Sequence, residues 1–179
     1  MNIFPLLTST NIRILKLIDK EQLHIRDIAD NLGISPGTVH KLAAFLKKTG
    51  LASETKQKNR ILLSLNKHHP ILKEIKRIIN FNDILNAPAY RKLRKFGKIG
   101  IYGSFASGTN DKDSDLDIWI QTSRKELELR PLIRELEKRL NTRVNPVFLT
   151  SQKIISLKKD DPEFYTRLLL TSIGDLFDQ

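Results

Sequence analysis

The segment 101–120, IYGSFASGTNDKDSDLDIWI, holds the residues whose types and spacing say most about chemistry. An apolar run ends in Gly103-Ser104, ten residues intervene, and Asp115-Leu116-Asp117 opens a second apolar run. Residues two apart on a strand project from one face, so Asp115 and Asp117 are expected side by side. Two carboxylates at the rim of an apolar sheet suit Mg²⁺, which prefers oxygen ligands and keeps positions open for phosphate oxygens. Gly103 lets a phosphate approach the backbone, and the Ser104 hydroxyl with neighbouring N–H groups offers it donors. Gly108 and the polar run 109–112 read as a flexible connector.

A second constellation lies nearer the N-terminus. Ala29, Gly33, Val39 and Leu42 sit four, eight, fourteen and seventeen residues past Ile25, with Ile28 and Leu32 as further anchors. That spacing gives two helices a small residue where they meet and a turn residue that tolerates positive φ. Ser35-Pro36 then opens the second of these helices, serine as N-cap and proline where a missing N–H is harmless. That helix turns Gly37, Thr38, His40, Lys41 and Ala44 outward. Residues 28–52 resemble winged-helix regulators, and the resemblance implies that this helix enters the major groove, where Thr38, His40 and Lys41 would reach base edges or nearby phosphates and Lys47 and Lys48 at its far end would meet the backbone. Lys56, Lys58 and Arg60 ring the turn between two strand-like runs, 51–55 and 60–65, where charge neutralises phosphates without reading sequence. The competing reading is a protein-interaction module whose lysines form a solvated face.

The elements that must position these groups follow from periodicity and turn chemistry. Helices are expected near Thr8–Thr10 onward (burying Ile14, Leu15, Leu17 and Ile18), over 25–32 and over 35–48, followed by the hairpin and a helix from Pro70. The stripe Ile71, Leu72, Ile75, Ile78 and Ile79 suits either a dimer face or one side of an intramolecular helix. Asn86-Ala87-Pro88 marks a boundary. Beyond it come a short helix (89–96), strands at 98–102, 116–121 and 143–149, a long helix (125–140), two more helices and a short end strand. The expected domains are 1–69, a linker helix 70–86, and 87–179.

Composition bounds the reading. The chain has 179 residues, 31 Lys+Arg against 20 Asp+Glu, a formal charge of +11, and 40% hydrophobic residues. Residues 41–77 hold ten basic and two acidic side chains, a net of +8, while 86–179 hold 17 and 13. The apolar content is too high for a disordered chain, and no run nears the roughly 18 apolar residues of a spanning helix. The first residues do not read as a signal peptide. Zero cysteines exclude disulfides, Cys-ligated zinc, iron–sulfur clusters and thiol catalysis. A cytoplasmic protein with no membrane association is the expectation, and nucleic acid is the commonest partner for that charge; double-stranded DNA as that partner is what the resemblance of residues 28–52 to winged-helix regulators implies.

Two resemblances sharpen this. IADNLGISPGTVHKLAAFLKKTGLA resembles winged-helix transcription regulators, over about residues 8–67. The Gly-Ser, ten-residue gap, Asp-x-Asp pattern resembles the minimal nucleotidyltransferase family, over about residues 87–179. Together they imply two domains: an all-α winged helix with a β-wing, then an α/β mixed-sheet nucleotidyltransferase fold. They imply that Gly103 and Ser104 contact NTP phosphates and that Asp115 and Asp117 are catalytic and hold Mg²⁺. Related minimal nucleotidyltransferases act as antitoxins that adenylylate a partner toxin, so a partner protein is implied as well, and a homodimer is expected. One departure stands out. Active members place a third carboxylate on the next strand, and the matching residue here is Asn145, whose amide cannot accept a proton at neutral pH. Pro146 beside it puts that strand at an edge or a bulge. The expected function is a DNA-binding transcription regulator whose second domain binds Mg–NTP weakly or has lost activity. The alternative is an active transferase moving an NMP group to a protein or other hydroxyl acceptor.

Other residues are set aside. His68-His69 reads as exposed, His24 as a helix start, and Tyr102 and Tyr165 as packing. Trp119 reads as core, pointing away from the carboxylates. The run Arg91, Lys92, Arg94, Lys95 and Lys98 either steers a triphosphate or nucleic acid toward the site or forms a solvated helix face.

Overall fold

A computed structural model describes residues 4–57 and 60–175. The chain divides into two compact units, Met1–Lys73 and Glu74–Gln179.

In the first unit a 3-10 turn (Phe4–Leu7) leads into α1 (Ser9–Lys20), β1 (Leu23–His24), α2 (Ile25–Leu32), α3 (Pro36–Lys48), β2 (Ala52–Gln57) and β3 (Arg60–Leu65). Local chemistry sets these boundaries. Thr8 caps α1 by accepting from the Asn11 N–H at 3.3 Å, and His24 caps α2 through Nδ1, accepting from Arg26. Gly33 ends α2 at φ 63°, and the Ile34 N–H reaches back to the Ala29 carbonyl at 3.0 Å, closing the turn before α3. Ser35 then accepts from the Thr38 N–H at 3.2 Å, with Pro36 in the first helical turn. Ile14, Leu15, Ile18, Ile28, Val39, Leu42 and Leu46 are buried. The strands form one antiparallel sheet in the order β1-β3-β2. β1 was not expected, because two residues carry no readable periodicity.

The boundary between units falls inside α4 (Pro70–Leu85), four residues into the segment expected as a linker. Leu72, Ile75 and Ile79 on its stripe are buried, whereas Ile78 is 51% exposed. The second unit continues with α5 (Pro88–Leu93), β4 (Lys98–Tyr102), α6 (Gly103–Ser107), β5 (Leu116–Gln121), α7 (Glu126–Leu140), β6 (Val144–Leu149), α8 (Ser151–Asp160), α9 (Pro162–Thr171) and β7 (Ile173–Gly174). The strands lie in the order β6-β5-β4-β7, parallel between β5 and β6 and antiparallel elsewhere. β6 is an edge strand, which accommodates the donor that Pro146 lacks.

Each sheet face has its own core. Ile99, Ile101, Leu116, Ile118, Ile120 and Val144 cluster with side chains of α5, α6 and α7. Tyr102, Trp119, Val147 and Leu149 cluster on the other face with Ile154 of α8 and Phe164, Tyr165 and Leu168 of α9. Trp119 is fully buried, as expected of a core residue, but the expected direction needs correcting. Asp117 and Trp119 are two residues apart on β5, so strand alternation puts both on the α8–α9 face. Gly100 makes room for this indole, which a Cβ at that position would strike, and the Trp119 Nε1–H donates to Ser172 Oγ at 2.9 Å.

Candidate functional site

The candidate site forms where β4, β5 and β6 present the same end of the sheet. Tyr102, the last residue of β4, pairs with Asp117, and Asp117 pairs in turn with Asn145 of β6. The chain leaves β4 through Gly103 at φ 69°, a conformation that favours glycine, and a Cβ there would collide with the Asp117 carboxylate. Gly103 thus has two reasons to be glycine, and both place its backbone beside Asp117. The Asn145 Nδ2–H donates to Asp117 Oδ1 at 3.0 Å. That amide orientation follows from the pairing, because the side-chain carbonyl would otherwise face a carboxylate oxygen.

Asp115 is exposed and sits just before β5 rather than on it, so strand alternation alone does not fix its direction. Ser104 is partly buried in the first turn of α6. The segment expected as a flexible connector is extensively hydrogen-bonded. The Ser104 carbonyl accepts from the Thr109 and Asn110 N–H groups at 3.0 and 3.3 Å. Asp111 Oδ1 accepts from the Asp113 N–H at 3.1 Å and from Ser114 Oγ at 2.8 Å. Two residues of α4 hold it from outside. Asn80 Nδ2 donates to the Phe105 carbonyl at 3.1 Å and to Asn110 Oδ1 at 2.8 Å, and Lys76 Nζ donates to the Asn110 carbonyl. Sequence reasoning missed both residues. The available signal was a lysine next to the apolar stripe of α4, where it is 9% exposed.

Among the described residues, no group of three or more His, Asp or Glu is placed to hold a metal ion. The donor set of Asp115 and Asp117 is one of carboxylate oxygens, the type that Mg²⁺ takes together with phosphates and water. It does not fit a three-carboxylate centre, because the third position is occupied by an amide that donates to Asp117. Burial, reinforced by the Asp117 charge and opposed by Arg167, pushes the Tyr102 hydroxyl up to about 12, so it remains a hydrogen-bond donor at neutral pH.

The basic run before β4 is near the site in sequence but far from it in the fold. Arg94, Lys95 and Lys98 line an open groove of about 1150 Å³ with Thr122 and Thr150, at the opposite end of the sheet from Gly103. Lys98 and Tyr102 are the two ends of β4, four residues and roughly 13 Å apart. Arg94 is moreover paired with Asp175 at 2.7 Å.

On the first unit, Gly37, His40, Lys41, Ala44 and Lys48 are exposed along one side of α3, and Thr38 is partly covered beside the Ser35 cap. Lys47 is engaged by Glu54 of β2 at 2.7 Å. Lys56 and Arg60 are exposed at the hairpin, Arg60 at 3.9 Å from Asp27. Lys58, the third expected phosphate contact there, lies outside the described residues.

Residues 88–169 match the nucleotidyltransferase domain family, and residues 7–52 match a winged helix-turn-helix DNA-binding family. The chain therefore carries a winged helix-turn-helix DNA-binding domain followed by a nucleotidyltransferase domain. No curated protein matches it. A solved structure described as "Crystal structure of the toxin-antitoxin with AMP-PNP" is 19% identical, with 59% of this chain and 74% of that chain covered and a TM-score of 0.35. No described helix is long and apolar enough to cross a membrane.

Proposed function

We propose that this protein is a DNA-binding transcription regulator whose second domain binds Mg–NTP and transfers the nucleotidyl group very slowly or not at all. The observation that carries this reading is the 3.0 Å hydrogen bond from the Asn145 amide to Asp117. Transfer needs a group that takes the proton of the attacking hydroxyl, and Asn145 occupies the place of a carboxylate without being able to accept one. The rest of the site still suits binding. Gly103 leaves the backbone open beside Asp117, and Asp115, Asp117 and phosphate oxygens would together hold one Mg²⁺, which would offset part of the triphosphate's charge. Ser104 would orient the phosphates through its hydroxyl, and Tyr102 would remain a neutral donor beside Asp117.

In the same proposal α3 enters the major groove. His40 and Lys41 face base edges, with Thr38 at the helix start, and Lys48, Lys56, Lys58 and Arg60 neutralise phosphates. The intact cradle at Gly103 favours the second reading, an active transferase using a protein or other hydroxyl acceptor, to the extent that a substrate group replaces the missing base. Footprinting on the protein's own promoter region, paired with calorimetric titration of Mg–NTP, tests the main reading. A protected site and saturable nucleotide binding are expected. Only salt-sensitive non-specific DNA binding, or no nucleotide binding, contradicts it.

A further inference from the structure

Helix α9 crosses the sheet face that carries Asp117, with Tyr165 and Leu168 turned into its core. Phe164 meets Tyr102 edge-on, ring centroids 6.0 Å apart and planes at 72°. The Arg167 guanidinium lies over the Phe164 ring at 5.0 Å from its centroid. The two residues are three apart on the helix, so ring and guanidinium stack along one side of it. Arg167 is exposed, and among the described residues its guanidinium pairs with no carboxylate. Glu163 stands four residues earlier, at ion-pair spacing, yet the guanidinium rests on the ring instead. A cation is thus fixed by stacking beside the tyrosine that neighbours Asp117 in register.

We infer that Arg167 is a phosphate-contacting residue of the nucleotide site, pre-placed by Phe164 to pair with the β- and γ-phosphates of a bound NTP. This rests on the nucleotide-binding reading above. A guanidinium suits the task because its planar fork pairs two phosphate oxygens at once, and stacking removes part of the cost of ordering it. A triphosphate entering beside Asp115 and Asp117 brings more negative charge than one Mg²⁺ offsets, and Arg167 supplies a further positive charge on that face.

The test compares wild type, Arg167→Ala and Arg167→Lys in calorimetric titrations with ATP, GTP, CTP and UTP in Mg²⁺, then with the di- and monophosphate of the tightest binder. For Arg167→Ala, triphosphate affinity is expected to fall about tenfold or more, monophosphate affinity by less than twofold, and the thermal midpoint to stay put. Arg167→Lys is expected to restore only part of the loss. Equal triphosphate affinity in wild type and Arg167→Ala overturns the inference while leaving the nucleotide reading standing. So does a loss shared equally by mono- and triphosphate. If wild type binds none of the four, the nucleotide reading fails and the inference falls with it.

Discussion

Asp117 has three neighbours that decide what its carboxylate can do. Gly103 keeps one side open, the Asn145 amide donates to Oδ1, and the Tyr102 phenol stands alongside in register. None of the three takes up a proton at neutral pH, which supports the proposed reading of a site that binds charge without moving protons. Tyr102 makes that environment measurable. Burial first, and then the Asp117 charge, raise its hydroxyl to about 12, and burial does the same for Tyr90. An unfolded tyrosine ionises near 10. Between those values the unfolded chain releases phenolic protons that the folded chain keeps. The stabilisation is therefore fully present below about pH 10 and is lost as pH rises toward 12, on the order of 2 kcal/mol for each tyrosine. Urea midpoints measured at pH 9 and pH 11 are expected to fall more steeply for wild type than for Tyr102→Phe. Identical slopes contradict this placement of Tyr102.

At the scale of elements, α4 holds the connector between the Gly-Ser turn and Asp115. Removing Asn80 leaves the Phe105 carbonyl and Asn110 Oδ1 short of a donor. In Asn80→Ala, hydrogen exchange at the Thr109 and Asn110 amides is expected to quicken about tenfold, while amides in the middle of β5 keep their protection. Uniform change across the domain would mean that Asn80 serves overall stability instead. This tether was not legible in the sequence, because Asn80 and Asn110 are thirty residues apart and neither carries a periodic signal. What could be read had local causes. Gly33 and Ser35-Pro36 announce the turn and cap between α2 and α3, and the apolar runs flanking Gly103 and Asp117 announce β4 and β5. α6 escaped notice because five residues are too few for a helical period. Of the two readings of the basic run ending at Lys98, the distance favours the solvated face over steering toward the site, since β4 carries the chain from one end of the sheet to the other. Arg167 gave no local signal, because its proximity to Tyr102 depends on how α9 folds back over the sheet.

Across the molecule, the charge is distributed in keeping with two tasks, with a net of +8 in residues 41–77 and a nearly balanced remainder. Phosphate binding by that segment makes affinity fall steeply with salt. Lys41 is exposed on α3, while Lys47 is engaged by Glu54. In gel shifts across a salt series, Lys41→Ala is expected to weaken DNA binding several-fold and to reduce the salt slope by about one if it meets a phosphate. Lys47→Ala is expected to change both less, and the reverse order would contradict this use of α3. On the proposed function, the second domain keeps a nucleotide cradle and lacks the group that would start the reaction. A carboxylate in a site of this kind is worth several kcal/mol of transition-state stabilisation, or a hundredfold and more in rate. The most direct test is transfer of label from α-labelled NTP in Mg²⁺ by wild type and by Asn145→Asp, side by side. Wild type is expected to bind the nucleotide and leave the label untransferred, and Asn145→Asp to transfer it at least about a hundredfold faster. Rapid transfer by wild type, with no gain in the variant, would contradict the account.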